Sequence, residues 1–402
     1  DYTIDYSNSQ ITFTPNRLVT SASRINIDFE YTDRRFVRNH FSGGSEATLL
    51  NKKLKIQASF LQESDDKDSP IDITISEEDK KILAEAGDDI NKAVKSGVSL
   101  AQPDSLGVIK GTYEKRDTTI SQDTFEYYVY NPGGANSLYH VTFSFVGSGK
   151  GDYQKEGLGS YTFVGKNMGD YLPVIFLPLP EIKQFGNFVV NYSPFDEMQA
   201  SLELAGSRWD KNRFSNLDET DNNGYARNFT LKMNPKNVSV AGMGLGKIGF
   251  SFRDRYIENR FTSVDRFNEV EFDRNYNTSG TSTKENEVLR EMGLNLIPVN
   301  ELKINSSYGH LKRGESFQSD RLINSLDLSD GNIYKFFYNL DYVKTRSTSS
   351  ASKWFRHRSN SFYTIGYFKP GFDLLAEKKE NTLFDKDSLI SGSIQYYEMN
   401  PY

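Results

Sequence analysis

The chain has 402 residues, hydrophobic residues make up 37% of it, and the formal net charge is −6 with no cysteine. That charge leaves no cationic excess for phosphates, so nucleic acid is excluded as a partner, and the lack of cysteine excludes disulfides, thiolate metal sites and thiol nucleophiles. Tyr and Phe number 24 and 28; aromatic-rich, moderately apolar chains make half-buried strands rather than the continuous apolar runs of a buried parallel sheet.

The predicted class is all-β with antiparallel strands: a β-sandwich-like N-terminal region with one helix, followed by strands of a partial outer-membrane β-barrel. Three regions are expected: a β-rich domain over 1–125, repeat hairpins and a Pro-rich linker over 126–186, and barrel-like strands over 187–402. The chain opens on Asp1 inside a strand-like pattern without a basic or apolar leader, which reads as a mature or excised stretch of a longer protein.

Ile11 and Phe13 mark a first strand. Ile25, Ile27, Phe29 and Tyr31 alternate with Asn26, Asp28 and Glu30, the period of a second, and Pro15-Asn16-Arg17 between them reads as a turn joining a hairpin. Leu54, Ile56, Ala58 and Phe60 continue the rhythm. Ser76 followed by Glu77, Glu78 and Asp79 is a helix start, and Ile82, Leu83, Ala86, Ile90 and Val94 carry helical spacing to about residue 95. This helix is expected to cover a sheet face or edge.

Val146-Gly147 through Gly151-Asp152-Tyr153 recurs 18 residues on as Val164-Gly165 through Gly169-Asp170-Tyr171. Two similar hairpin units are expected; the phosphate-cradle alternative lacks Gly-Lys-Ser/Thr and a following helix. Pro173, Pro178 and Pro180 read as a stiff linker.

From 187 onward strand follows strand, including Phe188/Val190/Tyr192, Ile248/Phe250/Phe252, Tyr334 through Tyr342, Tyr363/Ile365/Tyr367 and Ile394/Tyr396. The intervening side chains, such as Lys303, Asn305 and Ser307, suit a polar lumen. Pro298-Val299-Asn300 is a tight turn, whereas Asn275–Asn286 and Thr345–Ser352 read as long polar loops. Short turns on one rim and long loops on the other belong to transmembrane barrels. The last strand seals nothing, so the barrel is expected to be incomplete.

No nucleophile elbow or zinc-binding helix motif occurs, and His40, His140, His310 and His357 are scattered, so the chain is expected to be no enzyme. The interleaved arginines and aromatics of 250–274 are matched by acids and read as cross-strand ion pairs. The one candidate metal set is Asp210, Asn212, Asp218, Asp221 and Asn223, hard oxygen donors around Gly224 that could hold calcium; the other reading is a polar loop capping its own backbone.

Tyr2-Thr3-Ile4-Asp5-Tyr6-Ser7 with Ile11-Thr12-Phe13, the run Ser23-Arg24-Ile25 into Asp28-Phe29-Glu30-Tyr31, the Gly-Asp-Tyr repeats and Val270–Asn275 resemble segments of large outer-membrane surface proteins of the Bacteroidetes and Chlorobi group. Among these the translocon barrels of type IX secretion and gliding motility are distantly similar. The resemblance implies a non-enzymatic role in envelope transport, secretion or surface anchoring at the outer membrane or cell surface of a Gram-negative bacterium. The implied partners are outer-membrane lipid and other envelope or secretion proteins. The alternative is a soluble secreted β-sandwich that binds glycans or proteins, stabilised by calcium.

Overall fold

The computed structural model describes residues 2–5, 10–14, 27, 35–71, 73–103, 107–120, 123–157, 159–278, 284–384 and 386–402. The chain is all-β and antiparallel. β1 (Tyr2–Asp5) pairs with β2 (Gln10–Phe13); the strand expected over 25–31 lies, apart from Ile27, outside the described residues.

The dominant element is a 14-stranded sheet. It opens with β3 (Phe36–Leu49) and β4 (Leu54–Pro70). After β4 the chain leaves the sheet for more than a hundred residues, then returns and meanders to its end.

The excursion begins with α1 (Glu77–Ala86). Ser76 accepts from the Asp79 N–H at 3.1 Å and Asp79 accepts from the Ser76 N–H at 3.1 Å, a reciprocal cap that satisfies two orphan donors. The helix stops at Gly87, φ +62°, about two turns short of the sequence expectation. Ile90 is exposed and Val94 belongs to β5 (Val94–Ser96), so the helical spacing past Gly87 was coincidental. Leu83, Ala86, Ala93 and Leu177 form the core beneath α1.

Next come β6 (Val98–Leu100), β7 (Tyr113–Ile120), β8 (Asp123–Tyr130), β9 (Tyr139–Val141), β10 (Ser144–Phe145), β11 (Tyr153–Gly157), β12 (Ser160–Phe163), β13 (Tyr171–Leu172) and β14 (Val174–Phe176). They build two four-stranded sheets, ordered β6-β9-β7-β8 and β10-β13-β11-β12, while β14 pairs with β5. The expected linker is thus threaded through packed structure: Leu177 is in the α1 core and Pro180 is fully buried.

The two Gly-Asp-Tyr repeats are not independent hairpins. Gly151 and Gly169 exchange both backbone hydrogen bonds, at 2.9 and 2.8 Å. Asp170 accepts from the Gly149 N–H and Asp152 from the Asn167 N–H, so each repeat's aspartate ties down the other's turn. A Cβ on either bridging glycine would stand 2.3 Å from backbone, which is why both are glycine.

The sheet resumes with β15 (Ile182–Phe195), β16 (Met198–Asp210), β17 (Asn223–Val240) and β18 (Met243–Ile257). A segment containing the single turn α2 (Phe272–Asn275) follows. Then come β19 (Glu287–Val299), β20 (Leu302–Arg313), β21 (Phe317–Ser329), β22 (Tyr334–Ser347), β23 (Ser350–Tyr363), β24 (Gly371–Leu383), β25 (Lys386–Leu389) and β26 (Ile394–Pro401). Neighbours from β15 to β25 pair antiparallel, β15 also pairs with β4, and β24 also pairs with β26. No closed barrel forms among the described residues: β3 is one outer edge, and β25 and β26, both paired to β24, make the other.

One rim carries short connections, including 196–197, 241–242, 300–301 and 330–333. The other carries the 71–181 excursion and the loops 211–222 and 258–286, but also the two-residue turn Thr348-Ser349. The long loop expected over Thr345–Ser352 is therefore mostly strand. Conversely Ile365 and Tyr367, expected in a strand, lie in the turn after β23.

Candidate functional site

Register partners share a face, so the pairings sort every side chain of the sheet. Val190, Leu202, Phe229, Asp254 and Arg290 follow one another across β15 to β19 on one face; Asn191, Ser201, Thr230, Arg253 and Glu291 do so on the other. The first face holds Met198, Leu202 and Leu204, then Phe250 and Phe252, Met292, Leu294 and Leu296, and Phe336, Tyr338, Leu340 and Tyr342. Its large side chains are exposed: Phe188, Leu202, Leu204, Phe250, Met292, Leu294, Tyr308, Phe336 and Phe355 all keep more than a third of their surface open.

This apolar band ends, toward the long-loop rim, in a charged collar on the same face. Asp254 pairs with Arg227 at 3.3 Å and Arg290 at 3.0 Å. Asp320 accepts from the Tyr308 hydroxyl at 2.5 Å and contacts His310 at 2.8 Å. Tyr225 against Tyr256, and Tyr342 against Phe355 at 4.4 Å, put aromatic pairs at the boundary.

The second face is polar. Asn295 bonds Asn305, and Asn305 donates to Ser325 at 3.1 Å. Arg253 pairs with Glu291, Arg255 and Arg313 share Glu287, and Arg321 and Arg356 share Asp341. The expected cross-strand ion pairs therefore exist for Arg253, Asp254 and Arg255, but the aromatic and arginine run from 258 onward is loop. An open hollow of about 500 Å³ and mixed polarity lies on the β15 to β19 sector, lined by Asn191, Ser201, Thr230, Phe252, Arg253 and Glu291 among others.

The loop segment 258–278 folds across this polar face. Phe272 and Tyr276 are buried with Leu289, Leu311 and Phe317, and the Tyr276 hydroxyl donates to Glu291 at 2.6 Å. Tyr276 stands on Gly309, where a Cβ would meet the hydroxyl at 2.3 Å; a glycine inside a strand here marks a close approach. The Arg255 guanidinium lies 5.2 Å from the Phe272 ring and Arg274 reaches Glu377 at 3.8 Å, so one helical turn touches both β18 and β24. On a flat sheet these strands, six spacings of about 4.8 Å apart, would be ~29 Å from each other. The sheet therefore curls around the loop, with its polar face concave.

The five calcium candidates are dispersed in role. Asp210 is buried and accepts from the Asn212 N–H, and Asn212 donates to the Leu83 and Gly87 carbonyls at 2.7 Å each, closing the C-terminus of α1. Asp218 has φ +63° beside Gly87, Asp221 is exposed, and Asn223 begins β17. Among the described residues no group of three or more His, Asp or Glu side chains is placed to hold a metal ion. Burial raises the Asp88 carboxyl above its ordinary range; Lys211 at 3.6 Å opposes this, and Asp221 and Asp210 add to it. Sequence reading missed Asp88 as a neighbour of this loop, because 122 intervening residues separate it from Lys211.

Residues 1–33 match a family model described as a domain of unknown function (DUF8818). No curated protein matches the chain. The matched residues cover β1 and β2 and none of the large sheet.

Proposed function

We propose that this chain is a wall of an outer-membrane β-barrel, a non-enzymatic protein of the Gram-negative envelope that serves transport, secretion or surface anchoring. One observation carries the reading: a contiguous, outward-facing apolar band, exposed on strand after strand, with a polar concave face behind it. Soluble monomers expose apolar patches of roughly 300–600 Å². This band crosses most of the 14-stranded sheet. From Phe336 to Tyr342 it runs six residue steps, about 20 Å at ~3.4 Å each, comparable with the ~25 Å apolar belts of outer-membrane barrels. Aromatic pairs and the charged collar then meet the headgroup region. No helix among the described residues is long and apolar enough to cross a membrane; strands would make the crossing, each amide paired laterally because hydrocarbon offers no other partner.

Extraction and gel mobility test this. The purified chain should need detergent to stay monodisperse and should change mobility on boiling. A chain that remains monomeric in plain buffer would favour the soluble surface-binding module instead.

A further inference from the structure

Five cations meet at the concave face of β21 to β24: Arg321, Arg356, Arg358 and Lys379 from the strands and Arg274 from the inward loop. Three carboxylates stand among them, Asp341, Glu377 and Glu271, the last 3.5 Å from the Arg274 Nη1, and Lys379 donates to Asn277 at 2.6 Å. Asp341 takes both nitrogens of the Arg321 fork, at 3.0 and 2.9 Å, and the Arg356 Nη2 at 2.8 Å. Glu377 accepts from the Trp354 indole at 2.9 Å and pairs with Arg274. Arg358 is exposed and faces Asn339 and Leu375 in register, with Asp341, Asp373 and Glu377 only at the diagonal positions. Three cations crowd the Trp354 ring: Lys379 at 4.3 Å, Arg356 at 4.5 Å and Arg274 at 5.9 Å.

Acceptors are short as well as charges. The Arg356 Nε, the Arg274 Nε and the Ser319 and Ser352 hydroxyls are buried with no hydrogen-bond partner among the described residues. The unpartnered acceptors of the same face, on Asn295 and Asp327, lie nearer the short-turn rim. The Nε/Nη2 edge of an arginine is the fork that carboxylates and phosphates engage with two parallel bonds, and in Arg356 only its Nη2 half is occupied, by Asp341. Opposite it the loop brings another arginine, Arg274, where an acceptor would fit best. The loop is instead held by its aromatic wedge, Phe272 and Tyr276.

We infer that this patch is a recognition site for a compact oxyanion, a phosphate or carboxylate group, and that the loop segment 258–278 is a displaceable stopper seated over it. Arg358 offers the approach from the open face, and Arg356 and Arg321 hold the anion once the loop withdraws. The inference does not require the sheet to lie in lipid, so its test is read separately from extraction behaviour.

The test is calorimetric titration of the full chain, in whichever medium keeps it monodisperse, with inorganic phosphate, acetate and chloride at matched ionic strength. Phosphate or acetate should bind and chloride should not, the stronger of the two naming the group. Arg358→Gln, at an exposed position that the fold does not need, should weaken binding several-fold, and Arg356→Gln at least tenfold. Phe272→Ala with Tyr276→Ala, which loosens the stopper, should tighten it several-fold. Arg227→Gln, the same charge change on the apolar face, should leave it unchanged. Equal heats for all three salts, or undiminished affinity in both arginine variants, would overturn the site; unchanged affinity in the loosened-loop variant would overturn the stopper.

Discussion

Gly309 shows how a single residue positions the loop. It sits mid-strand between Glu291 and Arg321 in register, where a side chain would be expected on the concave face, and Tyr276 fills that space. Adding a methyl group forces the phenol away, so Gly309→Ala should cost about 1–3 kcal/mol. In a Tyr276→Ala background the same change should cost almost nothing, and a double-mutant cycle from urea unfolding measures the difference. Asp88 makes a second, electrostatic case. Its pKa in the folded chain lies above the ordinary carboxylate value because burial disfavours the charge. Its contribution to stability is therefore fully present below the unfolded pKa and is lost as pH rises through the folded one. Asp88→Asn should raise the melting temperature at pH 7 and leave it unchanged near pH 3. Millimolar calcium that produced the same rise in the parent chain, but not in Asp221→Ala, would support an ion at the 210–224 loop; an unchanged melt would leave that loop as the clamp on α1.

At the scale of the strand, the decisive property is which face a substitution lands on. Leu294 and Ser307 belong to adjacent paired strands but to opposite faces. In a bilayer, Leu294→Arg should destabilise by about 2–4 kcal/mol, whereas Ser307→Arg should cost under about 1 kcal/mol. Equal costs in lipid-reconstituted unfolding would count against the membrane orientation. The alternation behind this prediction was readable from residues such as Leu294/Leu296 and Lys303/Asn305/Ser307, because period two survives whatever the sheet packs against. Three features were not readable from local pattern. Ile90 and Val94 kept helical spacing after Gly87 had ended α1, since spacing alone does not register a positive φ. Thr345, Ser347, Ser350 and Ser352 looked like loop because they are small and polar, yet Thr345 bonds Asn277 of the inward loop at 3.2 Å and Ser352 is buried on the same concave face. The aromatics Phe261, Phe267 and Phe272 looked like continuing strand because a wedge buried inside the curl needs the same residue types. Gly309 was the available signal for that wedge, a mid-strand glycine with no turn beside it. The donor surplus around Arg356 depends on residues from four strands and a loop, and no spacing along the chain announces it.

For the whole molecule the direction of the edges matters most. From β3 through β4, then β15 to β24 and on to β26, every neighbouring pair is antiparallel. That path reverses direction an even number of times, so β3 and β26 run the same way. Direct closure of one upon the other would form a parallel seam, whereas the rest of the sheet is antiparallel throughout. An all-antiparallel ring therefore requires an odd number of further strands between these edges, whatever supplies them. Unpaired edges are also where a sheet recruits other chains, and in lipid their open amides would be especially costly. The absence of cysteine makes the arrangement measurable. Single cysteines at Gly43 on β3 and Tyr397 on β26, both exposed on the apolar face, should remain uncrosslinked within one chain under mild oxidation. A cysteine at Gly43 paired with one at Phe60, its register partner on β4, sets the positive control. Intramolecular crosslinking of the Gly43 and Tyr397 positions as fast as this control would show the two edges meeting directly, and the requirement for an intervening strand would be wrong.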